Sequence, residues 1–240
     1  MSAKEHDAKE VSAFWDRMAG EYNRPARAGG HHRIGAEILH EQLSGSVLSV
    51  GGLWAGAKLD DARFEVTVLD VSARMLEPYA SRGLRTVLGD ARDMNVDSGS
   101  YDHVVFPLVL HHLTGRGSRD SRRFARRALA EAERVLKEGG TIWVKEIVVP
   151  SAVYGAELGL AHVTKRVLRR HGVPLVVLHS LHFWISSLKE AGFANVSSRP
   201  CDVPTERWSD LVSPIIGMPS LRIPRLLVPV RHVLISGESS

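Results

Sequence analysis

The sequence predicts an α/β domain with a seven-stranded, mostly parallel sheet, its last strand antiparallel, and helices on both faces. Two observations lead to this fold class. Short apolar segments such as VLSV at 47–50 and EVTVLDV at 65–71 have the composition of strands that are buried on both faces of a sheet. Helical patterns separate such segments along the chain, and strands that alternate with helices form parallel sheets covered by helices.

The N-terminal region is predicted to be helical. Phe14, Trp15, Met18 and Tyr22 recur at helical spacing within residues 8–22, which indicates an amphipathic first helix.

The middle of the chain alternates between strand and helix candidates. A second helix is predicted over 31–43, and a short helical stretch is predicted between the first two strands. Ser72 is placed to cap a helix that stops at Gly83. The further candidates up to residue 150 are strands over 84–91, 101–113 and 141–149 and a helix over 119–140.

The pattern changes after Pro150. Residues 151–190 predict interrupted helices, and the segments 194–201 and 231–238 predict two final strands. Prolines are frequent over 200–229, which predicts an irregular loop with a short helix.

Composition narrows the functional classes. Hydrophobic residues make up 44% and charged residues 24% of the chain, as in ordinary globular proteins. Cys201 is the single cysteine, which excludes an internal disulfide and favours a cytoplasmic protein. The N-terminus lacks a signal-peptide pattern, and no apolar run approaches the about 20 residues that span a membrane. The arginine-rich run at 115–127 contains one aromatic residue, Phe124, and lacks the repeated aromatic interleaving of a nucleic-acid surface, so we expect no nucleic acid as partner. The lack of a long apolar run leads us to expect no membrane as partner.

Asp70 is the first candidate binding residue. It ends the second predicted strand, 19 residues after Gly51, which begins a glycine turn. A carboxylate at that distance from a glycine turn is placed to accept hydrogen bonds from both hydroxyls of a ribose. The alternative is a helix cap or a solvated aspartate at a strand end.

Two later strands also end in polar residues. Asp90 and Ala91 lie at the carboxyl end of the third strand candidate, where a carboxylate and a backbone N–H are suited to the edge of an adenine ring. His111 and His112 lie at the carboxyl end of the fourth. Ligands of open α/β sheets bind at the carboxyl ends of the strands, so these residues are expected at one site. The alternative for the histidines is one structural and one exposed residue.

Seven segments occur in an order that resembles class I S-adenosylmethionine-dependent methyltransferases, in the branch that acts on small molecules. The resemblance covers residues 12–150, 183–196 and the last strand. The segments are FWDRMAGEYNR, VLSVG, VTVLDVSARMLE, LGDARDM, YDHVVFPLVLHHL, LAEAERVLKEGGTIWVKE and LKEAGFANV.

The resemblance implies a Rossmann-like domain over 1–240, with an N-terminal helical lid over 1–45, a cofactor-binding core over 46–150, a substrate cover over 151–182 and C-terminal strands over 183–240. S-adenosylmethionine is the implied cofactor, and no metal is implied. The implied cofactor-binding residues are Tyr22 in the lid, Gly51, Gly52, Asp70, Val71, Met75 against adenine, Asp90, Ala91, and Pro107 at the methionine end. His112, and after it His111, is implied to take a proton from a phenol or enol substrate.

The glycine turn departs from the family pattern. Ser49 stands where the family has an acidic residue, and Leu53 and Trp54 interrupt the glycines. Trp54 either packs in the core or occludes the methionine pocket. We expect cofactor binding to survive but to be weak, and a lost cofactor is the alternative. The leading function is methyl transfer to an O, N or C atom of a small, secondary-metabolite-type molecule. The alternative is a protein of the same fold that catalyses a cyclisation, decarboxylation or rearrangement, or acts as a non-catalytic biosynthetic partner.

Histidines are frequent in the predicted substrate cover. His179 and His182 are three residues apart. They are expected to share a helix face, because residues three or four apart in a helix are neighbours on its surface. Together with Glu146 they suggest a metal-dependent hydrolase as a distant third function. We expect instead that His179, His182, His162 and His171 border a substrate pocket or lie on the surface. The protein is expected to be a monomer or a homodimer.

Overall fold

The structure is a computed structural model. It describes residues 11–17, 19, 36–54, 57, 59, 61–115, 117–151, 154, 176–201, 205–207, 222–224 and 230–240. Tyr22, His162 and His171, which the sequence singles out, lie outside the described residues.

The sheet has the predicted class. Its order is β3-β2-β1-β4-β5-β10-β7, with the short β6 paired in parallel to the end of β5. The first five strands are parallel to one another, and β10 runs antiparallel to both β5 and β7. The strands are β1 (Gly45–Val50), β2 (Phe64–Asp70), β3 (Arg85–Leu88), β4 (Tyr101–Pro107), β5 (Leu136–Val149), β6 (His179–Ser180), β7 (Ala194–Pro200), β8 (Thr205–Arg207), β9 (Arg222–Pro224) and β10 (Arg231–Glu238).

Helices flank the strands as the sequence predicts. Residues 11–17 are helical, within the predicted first helix. The further helices are α1 (Ala36–Gln42), α2 (Ala73–Ala80), α3 (Ser118–Val135) and α4 (Leu181–Glu190), with a 3-10 turn at Leu110–His112. None of the helices in the described residues is long and apolar enough to cross a membrane.

The core lies on both faces of the sheet, because side chains alternate along each strand. Leu48 and Val50 face one hydrophobic cluster, which α3 and α4 cover. Val47, which precedes Leu48 on β1, faces the other cluster, which includes Leu39 and Leu43 from the region of α1. The central strands are thus buried on both sides, and their carboxyl ends are left to form a site.

Several details differ from the predictions. The sheet has eight strands where seven are predicted, because the short β6 pairs with the end of β5. The strand predicted over 101–113 ends at Pro107, and a 3-10 turn follows it. None of the described residues between 51 and 63 is helical, so the predicted helical stretch between β1 and β2 is wrong there. The proline-rich stretch contains a small antiparallel pair, β8 with β9, in place of a wholly irregular loop. The helix predicted to reach residue 140 ends at Val135, because Leu136 turns to extended backbone and pairs with Tyr101 of β4.

Candidate active site

The turn after β1 is tight and is built on two glycines. Gly51 and Gly52 have φ angles of 82° and 108°, which side-chain-bearing residues rarely adopt. Gly51 donates its N–H to the Leu69 carbonyl on β2 at 2.7 Å. A Cβ at Gly51 would overlap the side chain of Val109, which follows β4. The turn therefore brings the ends of β1, β2 and β4 into close contact.

Ser49 is used inside this turn. Its side chain is fully buried, and its hydroxyl donates to the Gly52 carbonyl at 2.5 Å. From α2, Tyr79 accepts the Leu53 N–H at 3.4 Å. The position where the family carries a carboxylate thus holds a hydroxyl that closes the loop.

Trp54 packs in the core and does not enter the edge of the sheet. It is 3% exposed and lies in the cluster with Val47 and Leu39, with its ring 6.1 Å from that of Phe64. Of the two alternatives for Trp54, the structure favours core packing.

Asp70 lies at the carboxyl end of β2, next to the glycine turn. Its Oδ1 accepts the Ser72 N–H at 2.8 Å. Burial raises the pKa of Asp70 to about 6, while the N–H groups of Ser72 and Val71 act in the opposite direction. A buried Asp70 carboxylate is suited to bind a ligand that donates hydrogen bonds to it, because such bonds favour the ionised form. Val71 is half-buried beside it, and Met75 is buried in the first turn of α2.

Asp90 follows β3 as expected but is already engaged. The Arg92 guanidinium binds both of its carboxylate oxygens, with the closest contact 2.6 Å from Nη2 to Oδ2, and the Arg92 N–H donates to Oδ1 at 2.8 Å. Ala91, which lies between Asp90 and Arg92 in the chain, is buried. An adenine amino group would have to share the Asp90 carboxylate with Arg92.

His111 has a carboxylate partner that the sequence did not assign to it. Glu146 of β5 is fully buried, and its Oε2 accepts from His111 Nδ1 at 2.7 Å. The same carboxylate accepts N–H groups from Leu110 at 2.8 Å, His111 at 3.3 Å and Ile147 at 3.1 Å. A carboxylate bound to Nδ1 keeps the proton on that nitrogen and leaves Nε2 as the basic atom.

Among the described residues, no carboxylate contacts His112 in this way. Its ring lies 4.2 Å from that of His111 and 4.8 Å from that of Trp15. Within the described part of the chain its Nδ1 has no hydrogen-bond partner. Burial, with a smaller contribution from the charge of His111, lowers the pKa of His112 well below 6.5. The sequence ranks His112 before His111 as the candidate base, and His111 is the one of the two whose ring nitrogen is bound by a carboxylate.

The family model described as "Methyltransferase domain" matches residues 48–144. This match runs from β1 into β5 and includes the glycine turn, the ends of β2 and β3, and both histidines. Residues 48–144 therefore resemble a methyltransferase domain, the name used below for this segment. The resemblance to class I S-adenosylmethionine-dependent methyltransferases is confirmed.

Solved structures share the fold of this chain. A chain of the complex between the Haloferax volcanii Trm112 methyltransferase activator and a methyltransferase gives a TM-score of 0.64 at 17% identity, over 95% of this chain and 97% of that one. YcgJ from Bacillus subtilis gives 0.63 at 18% identity, over 87% and 98%. Haemonchus contortus phosphoethanolamine N-methyltransferase 2, in complex with phosphomonomethylethanolamine and S-adenosylhomocysteine, gives 0.60 at 14% identity, over 95% and 60%. No curated protein matches the sequence.

The strand that leads to the histidines of the methyltransferase domain ends in unusual backbone. Pro107 is the last residue of β4 and pairs with Lys145 of β5. Leu108, which follows, has a φ of 62°, a left-handed conformation that is costly for a leucine. Its N–H still donates to the Lys145 carbonyl at 2.9 Å. This turn directs the chain into Leu110–His112 and so sets where the histidines lie.

His179 lies in the same region and is engaged by two aromatic residues. Its Nδ1 lies 3.0 Å from the Tyr154 hydroxyl, its ring stacks on Phe183 at 4.1 Å, and burial lowers its pKa to about 3. It lies in β6, and Ser180 caps the helix that holds His182, so the predicted shared helix face is wrong. Over the described ranges there is no group of three or more histidine, cysteine or acidic residues suited to a metal.

Two features of the candidate site go beyond the sequence predictions. The sequence suggests Glu146 only as a metal ligand, although a charged residue inside the apolar segment TIWVKEIVV signals a buried partner. Asp16, whose side chain reaches Ser72 from the N-terminal helical segment, is not among the predicted site residues.

Proposed function

We propose that this protein transfers a methyl group from S-adenosylmethionine to an O, N or C atom of a small organic molecule of the secondary-metabolite type. The methyltransferase domain supports the reaction class, and the residues at the carboxyl ends of β1 to β5 support the roles below. S-adenosylmethionine supplies the methyl group from a sulfonium centre, which leaves S-adenosylhomocysteine.

The placement of Asp70 carries the proposal. It ends the strand next to the glycine turn, and Ser72 N–H holds one of its oxygens at 2.8 Å. In the proposed role the carboxylate accepts hydrogen bonds from both ribose hydroxyls, because its two oxygens match a vicinal diol. Met75 packs against the adenine in this arrangement, and Ala91 N–H and Asp90 bind the edge of the base.

The fit is poorer at the methionine end of the cofactor. The buried Ser49 hydroxyl is donated to Gly52, so it offers no negative charge to an ammonium group. Val109 occupies the space beside Gly51. The proposal therefore includes weaker cofactor binding than in a family member with the acidic residue, by about 5- to 150-fold for a loss of 1–3 kcal/mol.

His111 acts as the base in this proposal. Glu146 holds Nδ1–H, so Nε2 can take the proton of a hydroxyl, enol or amine as the substrate atom gains the methyl group. The carboxylate also stabilises the imidazolium that forms. Most of the rate would come from holding substrate and methyl group in line, which is worth several kcal/mol.

A second candidate is a protein of this fold that no longer transfers methyl groups. The closed turn favours it, because the Ser49 hydroxyl and the Val109 side chain take up the positions next to Gly51. In that case the histidines would serve a cyclisation, decarboxylation or rearrangement, or the chain would act as a non-catalytic partner.

Isothermal titration with S-adenosylmethionine and S-adenosylhomocysteine separates the two candidates. We expect saturable binding by the wild-type protein and much weaker binding by Asp70→Ala. Glu65→Ala, which removes an exposed carboxylate from the same strand, is the matched control and should bind as the wild type does. Absence of heat with both compounds would support the second candidate.

A further inference from the structure

The N-terminal helical segment contacts both ends of the candidate site through adjacent residues. The Asp16 Oδ1 accepts the Ser72 hydroxyl at 2.5 Å, next to Asp70. The Trp15 ring meets the His112 ring edge-on at 4.8 Å. The Arg74 guanidinium reaches the Asp16 carbonyl at 3.4 Å and adds a second contact to α2.

Ser72 joins Asp16 to Asp70. Its hydroxyl hydrogen goes to Asp16, and its oxygen accepts the Met75 N–H at 3.2 Å as the cap of α2. Its backbone N–H goes to Asp70 Oδ1 at 2.8 Å. A serine hydroxyl has one hydrogen, so the acceptor on Asp16 decides where that hydrogen points. The loop between β2 and α2 is therefore fixed from three directions.

We infer that Asp16 is a positioning residue for the cofactor site, since it holds Ser72 and thereby orients the Asp70 carboxylate toward the ribose. The inference rests on the proposed function of Asp70. With Trp15 against His112, the same segment ties the ribose end of the site to the histidine end. The N-terminal segment thus forms part of the binding geometry beyond the covering role that the sequence suggests for it.

The charges around Asp70 give this role a signature of its own. Asp16 faces Asp70 from the N-terminal segment and Tyr79 faces it from α2. After burial, the negative charge of Asp16 contributes to the raised pKa of Asp70. A neutral residue at position 16 should lower the pKa of Asp70, so that the ionised form that binds a diol persists to lower pH.

The test is titration of the full chain with S-adenosylhomocysteine between pH 5 and pH 8. Asp16→Ala removes the acceptor, and we expect affinity at pH 8 to fall by about tenfold, the cost of one hydrogen bond to a charged group. Asp16→Asn keeps an acceptor oxygen, so its affinity at pH 8 should stay within about threefold of wild type. In both variants the acid midpoint of binding should move to lower pH. Glu77→Ala, an exposed carboxylate on α2, is the control for charge without this contact.

The outcomes are distinct. Wild-type affinity and an unmoved midpoint in Asp16→Ala would overturn the inference while leaving the proposed function intact. A loss of affinity in Asp16→Asn equal to that in Asp16→Ala, with no shift in midpoint, would show a merely structural role and would also overturn it. No binding by the wild type would defeat the proposed function and this inference together. Thermal unfolding of each variant establishes that the affinities compare folded proteins.

Discussion

Replacing Glu146 by glutamine is predicted to reverse the tautomer of His111 at a modest cost in stability. In the wild type, Oε1 accepts the N–H groups of Leu110 and His111, and Oε2 accepts Ile147 N–H and His111 Nδ1–H. The glutamine amide nitrogen is disfavoured at the Oε1 position, where it would face two backbone donors that cannot change. It is therefore expected at Oε2, where the imidazole can respond by giving up its Nδ1 proton.

The magnitude follows from the contacts that remain. One backbone donor, Ile147 N–H, loses its acceptor inside the protein, which costs about 1–3 kcal/mol. Glu146→Ala removes the acceptor from all four donors and should cost about 3–5 kcal/mol, as does breaking a buried charged network. The free energy of unfolding is expected to be highest for the wild type, lower for Glu146→Gln and lowest for Glu146→Ala. Glu138→Gln, exposed on the same strand, should match the wild type.

The assay combines denaturant unfolding with nitrogen NMR of the His111 ring. In Glu146→Gln the neutral ring should carry its proton on Nε2, and turnover, once a substrate is in hand, should fall by roughly 10²–10⁴-fold. A ring that keeps its proton on Nδ1 in Glu146→Gln would refute the reasoning. So would equal stability of Glu146→Ala and the wild type.

Three further predictions follow from the site. Burial holds the pKa of Asp70 near 6, above its ordinary 3.8, so the folded state binds the proton more tightly and loses stability as pH rises from about 4 to 6. Asp70→Asn should therefore raise the free energy of unfolding of the ligand-free protein at pH 8 by about 1–3 kcal/mol. It should also weaken S-adenosylhomocysteine binding by about 3 kcal/mol. Lower stability would contradict the first expectation, and unchanged affinity would contradict the second. Gly51→Ala should destabilise the protein and abolish ligand binding, because the new methyl group meets Val109 at a positive φ; calorimetry and titration check this, and a variant that binds normally would contradict it. His112→Gln should lower turnover less than tenfold, against roughly 10²–10⁴-fold for His111→Gln, if His111 is the base; the reverse order would restore the ranking that the sequence suggested.

The strand ends could be predicted from the sequence because they depend on local patterns. Apolar strands alternating with helices fixed the parallel sheet, and residues that follow such strands meet at one edge. The sequence thus predicts that Asp70, Asp90 and the two histidines lie at the same edge of the sheet, and in the structure they do. Their roles in binding and catalysis stay predictions.

The partnerships between side chains could not be predicted, because they depend on register. His111 meets Glu146 only because β4 pairs with β5 in a particular alignment, with Pro107 opposite Lys145. Likewise, nothing in the sequence near Ser49 shows that its hydroxyl closes the turn on Gly52. An aspartate at that position would put a carboxylate against a carbonyl, so restoring the family residue there is expected to destabilise the turn, not to improve the ligand site.

The most direct test of the account is proton release on binding of S-adenosylhomocysteine at pH 6, measured by titration in two buffers of different ionisation enthalpy. Asp70 is about half protonated at that pH and must be ionised to accept two ribose hydroxyls. The account predicts release of about half a proton per ligand in the wild type, little release at pH 8, and none in Asp70→Asn. Binding without proton release at pH 6, or no binding at any pH, would contradict it.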